Sequence, residues 1–178
     1  MTTLIRPSQA GDVPRLTAIY AHHVVHGSGS FELISPDEPE MARRRLAVLE
    51  NTLPYLVAEI DGVVLGYAYA NLFRPRPAYR FLVENSVYID HTAQRLKLGR
   101  ALMAELIQRC EAQGARQMIA VIGDSANLGS IRLHQALGFE QVGLIRSSGW
   151  KHHRWLDTVM MQRALGLGDL TTPTTETP

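Results

Sequence analysis

Between Phe81 and Leu102 the chain changes its hydrophobic period, and this constrains the fold more than any other stretch. Phe81–Ile89 reads as a buried strand. A short polar turn follows, and apolar residues then recur at helical spacing over about Lys97–Gln113. Gln94-x-x-Lys97-x-Gly99-Arg100-Ala101 falls where loop becomes helix. A helix N-terminus offers unpaired N–H groups and the positive end of a dipole, so this junction suits a phosphate.

The 178 residues suffice for one domain with a sizeable core, expected over 1–165. The Gly/Thr/Pro-rich tail, 166–178, reads as disordered. A net charge of +1 gives no footprint for nucleic acid. No apolar run reaches membrane-spanning length, and the N-terminus lacks a signal-peptide pattern. Cys110 is the only cysteine, which excludes a disulfide framework; inside a helix pattern it reads as a structural thiol. A cytoplasmic location is the default expectation.

Leu4–Arg6 reads as a first strand, and Asp12 to about Val25 as a helix. Ser35-Pro36-Asp37-Glu38 reads as the start of a second helix running to about Thr52, with Ser35 as cap. Tyr55–Ile60 and Val63–Asn71 flank an Asp61-Gly62 hairpin turn. After the central strand and helix, Gly114 marks a stop. Gln117–Ile122 is a strand, Asn127–Ala136 a short helix, and Glu140–Arg146 and about Trp155–Arg163 are closing strands.

This order, with the Gln94–Ala101 junction, resembles the Gcn5-related N-acetyltransferases across nearly the whole chain. The resemblance implies an α/β (α+β) fold: a mixed sheet of about seven strands, flanking helices, and central strands that splay around acetyl-CoA. In that family Gln/Arg-x-x-Gly-x-Gly/Ala holds the pyrophosphate, which places Gln94, Arg95, Leu96, Lys97, Leu98, Gly99 and Arg100 at the cofactor. Lys97 stands where the first glycine is expected. Either it keeps a helical backbone and adds a cation for phosphate, or the cofactor site is relaxed.

Further stretches resemble the phosphinothricin and methionine sulfoximine acetyltransferases. They are Phe31-Glu32, Gly66-Tyr-Ala-Tyr69, Arg74-Pro-Arg-Pro-Ala-Tyr79, Val83-Glu-Asn-Ser-Val-Tyr88, Leu133-His134, Leu137-Gly-Phe139, Gly149-Trp-Lys151 and Arg154-Trp-Leu-Asp157. That group N-acetylates small α-amino acids and their analogues. The resemblance implies direct transfer in a ternary complex and a homodimer whose C-terminal strands help shape the site.

An attacking amine must be neutral, so a base is needed. Glu84 interrupts an apolar strand, where burial would raise its pKa; alternatively it pairs with a nearby arginine and only shapes the pocket. The resemblance assigns the backbone of Val87, Tyr88 and Ile89 to the thioester oxygen and the pantetheine arm. The Tyr88 ring reads as core. His134 occupies the position of a tyrosine proton donor to the CoA thiolate in many relatives. It is either that donor or a hydrogen-bonded helix histidine. Asn127 and Ser130 fall beside CoA, though helix capping alone would explain Asn127.

Arg74 and Arg76 could clamp a substrate carboxylate, or could be solvated loop cations, as could Arg80. Phe31 and Tyr79 could wall the side-chain pocket or could be ordinary packing, and Asn85 and Ser86 are candidates at the substrate.

His22 and His26 lie one turn apart, but no carboxylate completes a metal pattern, and none is expected. Arg43-Arg44-Arg45 reads as a solvated helix face. The competing functions are acetylation of a protein N-terminus, a polyamine or an aminoacyl conjugate, and a non-catalytic acyl-CoA-binding module.

Overall fold

The computed structural model describes residues 3–173. Strands β1 (Thr3–Pro7), β2 (Tyr55–Ile60), β3 (Val63–Leu72), β4 (Leu82–Ile89), β5 (Gln117–Gly123), β6 (Glu140–Lys151) and β7 (Arg154–Ala164) form one sheet ordered β1-β2-β3-β4-β5-β7-β6. Every pairing is antiparallel except β4 with β5. Helices α1 (Val13–His26) and α2 (Glu38–Glu50) follow β1, α3 (Leu98–Ala112) connects β4 to β5, and α4 (Leu128–Gln135) precedes β6.

Side chains alternate across a strand, so successive residues serve opposite faces. Tyr55, Tyr67, Tyr69 and Tyr88 rise from one face and meet Tyr20 of α1. The opposite face packs on α3, whose Leu98, Leu102, Met103, Leu106, Ile107 and Cys110 are buried. Burial pushes the Cys110 thiol pKa up to about 12.

Local signals explain several boundaries. Asp61 and Gly62 both take positive φ, the geometry of a type I′ hairpin. Past α3, Gly114 (φ +89°) closes a Schellman motif, with Ala115 N–H on Cys110 O and Gly114 N–H on Glu111 O. Helix α2 starts later than expected. Asp37, not Ser35, is the cap, because its carboxylate accepts from Glu40 N–H at 2.9 Å. Strand β6 continues past Arg146 to Lys151. A register shift between Ile145 and Gly149 absorbs the Ser-Ser-Gly segment, and Asp157 accepts from Ser147 N–H.

Of the tail, residues 166–173 are described. The Arg116 guanidinium donates to the carbonyls of Gly168 (2.8 Å) and Thr171 (2.7 Å). Residues 174–178 of the stretch read as disordered lie outside the described residues.

Candidate active site

Strands β4 and β5 pair only from Leu82–Asn85 to Gln117–Ala120. Beyond Asn85 the two strands separate, each still paired on its other side. The fork opens a cleft of about 680 Å³, lined by Asn85–Ile89, Ala120–Gly123, the start of α3 and one side of α4. Among the described residues, the edge of β4 that faces the cleft has no strand partner from Ser86 onward, so an extended chain can add there.

The N-terminus of α3 closes one end of this cleft. Gln94, Arg95, Lys97, Leu98, Gly99 and Arg100 line it. Leu96 is exposed and does not. Lys97 corrects an expectation: it caps α3 at φ 60°, ψ 14°, in the left-handed region, rather than continuing a helical backbone. Arg95 is also left-handed, at φ 73°. Such residues turn successive N–H groups toward one point and form an anion-binding hollow. Among the described residues, Arg95, Lys97 and Arg100 make no salt bridge. The left-handed backbone explains why a glycine fits this position. Cations, free N–H groups and an open strand edge together fit an acyl-CoA.

Glu84 stands on the tyrosine face of β4, paired across the sheet with Asn71. It is half-buried and forms no salt bridge among the described residues. Burial raises its carboxyl pKa, and the Arg74 cation partly offsets this. Arg74, Arg76 and Tyr79 sit exposed on the loop before β4, with the Arg74 guanidinium 4.8 Å above the Phe73 ring. Ser86 lies two residues on, opposite Tyr69.

Asn85 and His134 form a separate buried pair. The Asn85 amide nitrogen donates to Ile119 O (3.1 Å), so its oxygen accepts from His134 Nε2 (3.0 Å). His134 Nδ1 lies 2.8 Å from the Ser130 carbonyl, and burial lowers the ring's pKa. Both ring nitrogens lie within hydrogen-bond distance of a polar atom, Asn85 Oδ1 and the Ser130 carbonyl. Asn85 alternates away from Glu84 and is only 6% exposed, in contrast with its expected place at the substrate. Asn127 caps α4 by accepting from Ser130 N–H at 3.3 Å.

A family model described as the acetyltransferase (GNAT) family matches residues 22–139. The chain belongs to this family. It is 53% identical over 169 residues to a phosphinothricin N-acetyltransferase of Alcaligenes faecalis, covering 95% of this chain and 86% of the relative. An L-methionine sulfoximine/L-methionine sulfone acetyltransferase of Salmonella typhimurium is 37% identical, covering 90% of this chain and 94% of that one. The crystal structure of a GNAT superfamily phosphinothricin acetyltransferase from Sinorhizobium meliloti, in complex with acetyl-CoA, superposes with a TM-score of 0.95. It is 49% identical, covering 99% of this chain and 95% of the other.

Within this GNAT chain, sequence reasoning missed how Phe31 is held. A Cβ on Gly149 would come within 2.6 Å of the Phe31 ring, and one on Gly123 within 2.8 Å. The ring therefore rests on two glycines from separate strands. Lys151 is buried and donates from Nζ to Ser30 O at 2.7 Å, anchoring the same loop. Glycines against an aromatic leave no sequence signal until the topology is known. His22 stacks on His91 at 4.0 Å, and no His/Cys/Asp/Glu group among the described residues could hold a metal. Among the described residues no helix is long and apolar enough to cross a membrane.

Proposed function

We propose that the protein acetylates the α-amino group of a small amino acid or analogue of the phosphinothricin or methionine sulfoximine type. The acetyl donor is acetyl-CoA, and transfer is direct within a ternary complex over one catalytic unit, residues 1–165. The observation that carries this reading is the half-buried Glu84 carboxylate, without a salt bridge among the described residues, on the strand that borders the acyl-CoA cleft. The names of the relatives point to the same chemistry.

Acetyl-CoA supplies the acetyl group activated as a thioester. The α3 N-terminus, with Arg95, Lys97 and Arg100, binds its phosphates. The open edge of β4 pairs with the pantetheine arm, and N–H groups of Val87–Ile89 stabilise the carbonyl oxygen. Arg74 and Arg76 bind the substrate carboxylate. Phe31, Tyr79 and Ser86 wall the acceptor, and Glu84 accepts the proton that the amine must lose. Asn85 and His134 are positioning residues that hold the fork of the sheet.

A homodimer is part of this proposal. Val142, Leu144, Ile145 and Trp150 on edge strand β6 and Trp155 on β7 are 41–62% exposed, an apolar edge that a second copy would cover. Sedimentation should give a dimer that Trp155→Glu dissociates; a monomeric wild type would sink this part.

The test of function is thiol release from acetyl-CoA with phosphinothricin, methionine sulfoximine, common amino acids, spermidine and a peptide with a free N-terminus. Turnover should be confined to the amino acids and their analogues. Turnover on spermidine or the peptide alone would overturn the reading.

A further inference from the structure

One atom of the open β4 edge is already taken. Asp90 N–H donates to Leu65 O, and hydrogen-bonded pairs alternate along an antiparallel ladder. Ile89 therefore turns its N–H and carbonyl away from β3 and toward the cleft, as Val87 does. His23 of α1 reaches this edge. Its Nε2 lies 2.8 Å from Ile89 O, and its ring stands 5.5 Å from the Tyr88 ring. Helix α1 ends one turn later, with Gly27 N–H on His23 O, and Gly27–Gly29 follow along the same cleft wall.

A carbonyl oxygen only accepts, so the ring nitrogen facing it carries the proton. The neutral ring is thereby held as the Nε2–H tautomer, and its Nδ1 is an acceptor. Nδ1 has no hydrogen-bond partner among the described residues, and the half-buried ring lines the cleft. His23 thus covers the Ile89 carbonyl and returns an acceptor nitrogen in its place. The neighbouring His22, His26 and His91 do not line the cleft.

We infer that His23 is a further binding residue for acyl-CoA. It ends the stretch of β4 open to pairing, and its Nδ1 accepts a hydrogen bond from an amide N–H or hydroxyl of the pantetheine arm. The inference rests on the reading that this arm lies along β4, and not on the identity of the acetyl acceptor.

The test measures binding to the full chain, without turnover. CoA is compared with ADP, which shares the pyrophosphate and adenosine but has no pantetheine. His23→Phe should weaken CoA binding by about fivefold, the scale of one hydrogen bond, and leave ADP affinity within about twofold. An equal loss for both ligands, or no loss for CoA, would overturn the inference. In the wild type, nitrogen-15 NMR of the His23 ring should show the Nε2–H tautomer. Its Nδ1 signal should move toward the hydrogen-bonded range when CoA, but not ADP, saturates the cleft. An Nδ1–H tautomer, or an Nδ1 signal that CoA leaves unmoved, would overturn the inference without any variant having to fold. Amide exchange separates the two layers. Slowed exchange at Val87 and Ile89 with a silent His23 ring removes only the role of His23. Unchanged exchange together with a silent ring removes the pantetheine placement as well.

Discussion

As the proposed base, Glu84 would link chemistry to stability. Burial raises its pKa, so a base at this position loses its charge at higher pH than an ordinary glutamate. The acidic limb of kcat/KM should therefore fall above the usual carboxylate range. Removing the nearby cation with Arg74→Ala should move that limb further up and raise KM for the amino acid. An acidic limb unmoved by Arg74→Ala would argue against this coupling. Glu84→Gln should cut kcat at neutral pH by roughly 100-fold or more, the usual scale for a general base, with acetyl-CoA affinity nearly intact. The linkage sign is also fixed. A carboxyl whose folded pKa is raised stabilises the fold below its unfolded pKa and loses that contribution as pH rises. Glu84→Gln should thus melt higher than wild type at pH 7, and the gap should close near pH 4, as thermal scans would show. The polar interruption of an apolar strand marks Glu84 as a candidate base from sequence alone, and the structure half-buries it. His134 was legible only as a choice between two roles, because its partner Asn85 comes from a strand 49 residues away.

At the scale of elements, the start of α3 carries a conflict between backbone and charge. Lys97 is left-handed, which costs a non-glycine residue about 1 kcal/mol. Lys97→Gly should relieve that cost and raise Tm by about 2–4 °C for a chain of this size. The same change removes a cation from the proposed phosphate end of the cleft, so CoA should bind less tightly, most clearly at low salt. Tighter CoA binding by the glycine variant would show that the lysine only impairs the site. The strand and helix were readable from their periods, but the dihedral between them was not. A lysine carries no mark of φ, and the reading of a helical backbone there failed for that reason. The hairpin β6–β7 makes the complementary point. Gly149→Ala would drive its Cβ into Phe31, so KM for the amine should rise while CoA affinity holds. An unchanged KM would mean that the Phe31 ring does not wall the acceptor.

The whole molecule is a sheet that comes apart in the middle, and that fork is its main functional feature. The element order implied the number and sequence of strands through the family resemblance. Periodicity alone could not supply the fork, because a strand reads the same whether or not its neighbour leaves it. The fork leaves the end of β4 short of a partner on one edge, and a bound acyl-CoA would complete it. Amide exchange at Ser86–Ile89 should therefore slow when CoA is added, and Tm should rise with ligand concentration. At 100 times Kd the gain is about 2.7 kcal/mol. Exchange unchanged along β4 despite CoA binding would show that the open edge is not used. The burial of Cys110 has a practical corollary. Its sulfur is enclosed and its pKa is lifted to about 12, so almost no thiolate forms at working pH. A thiol-reactive dye added to a turnover assay would then meet an enzyme that is chromogenically silent, and every unit of colour would count a liberated CoA.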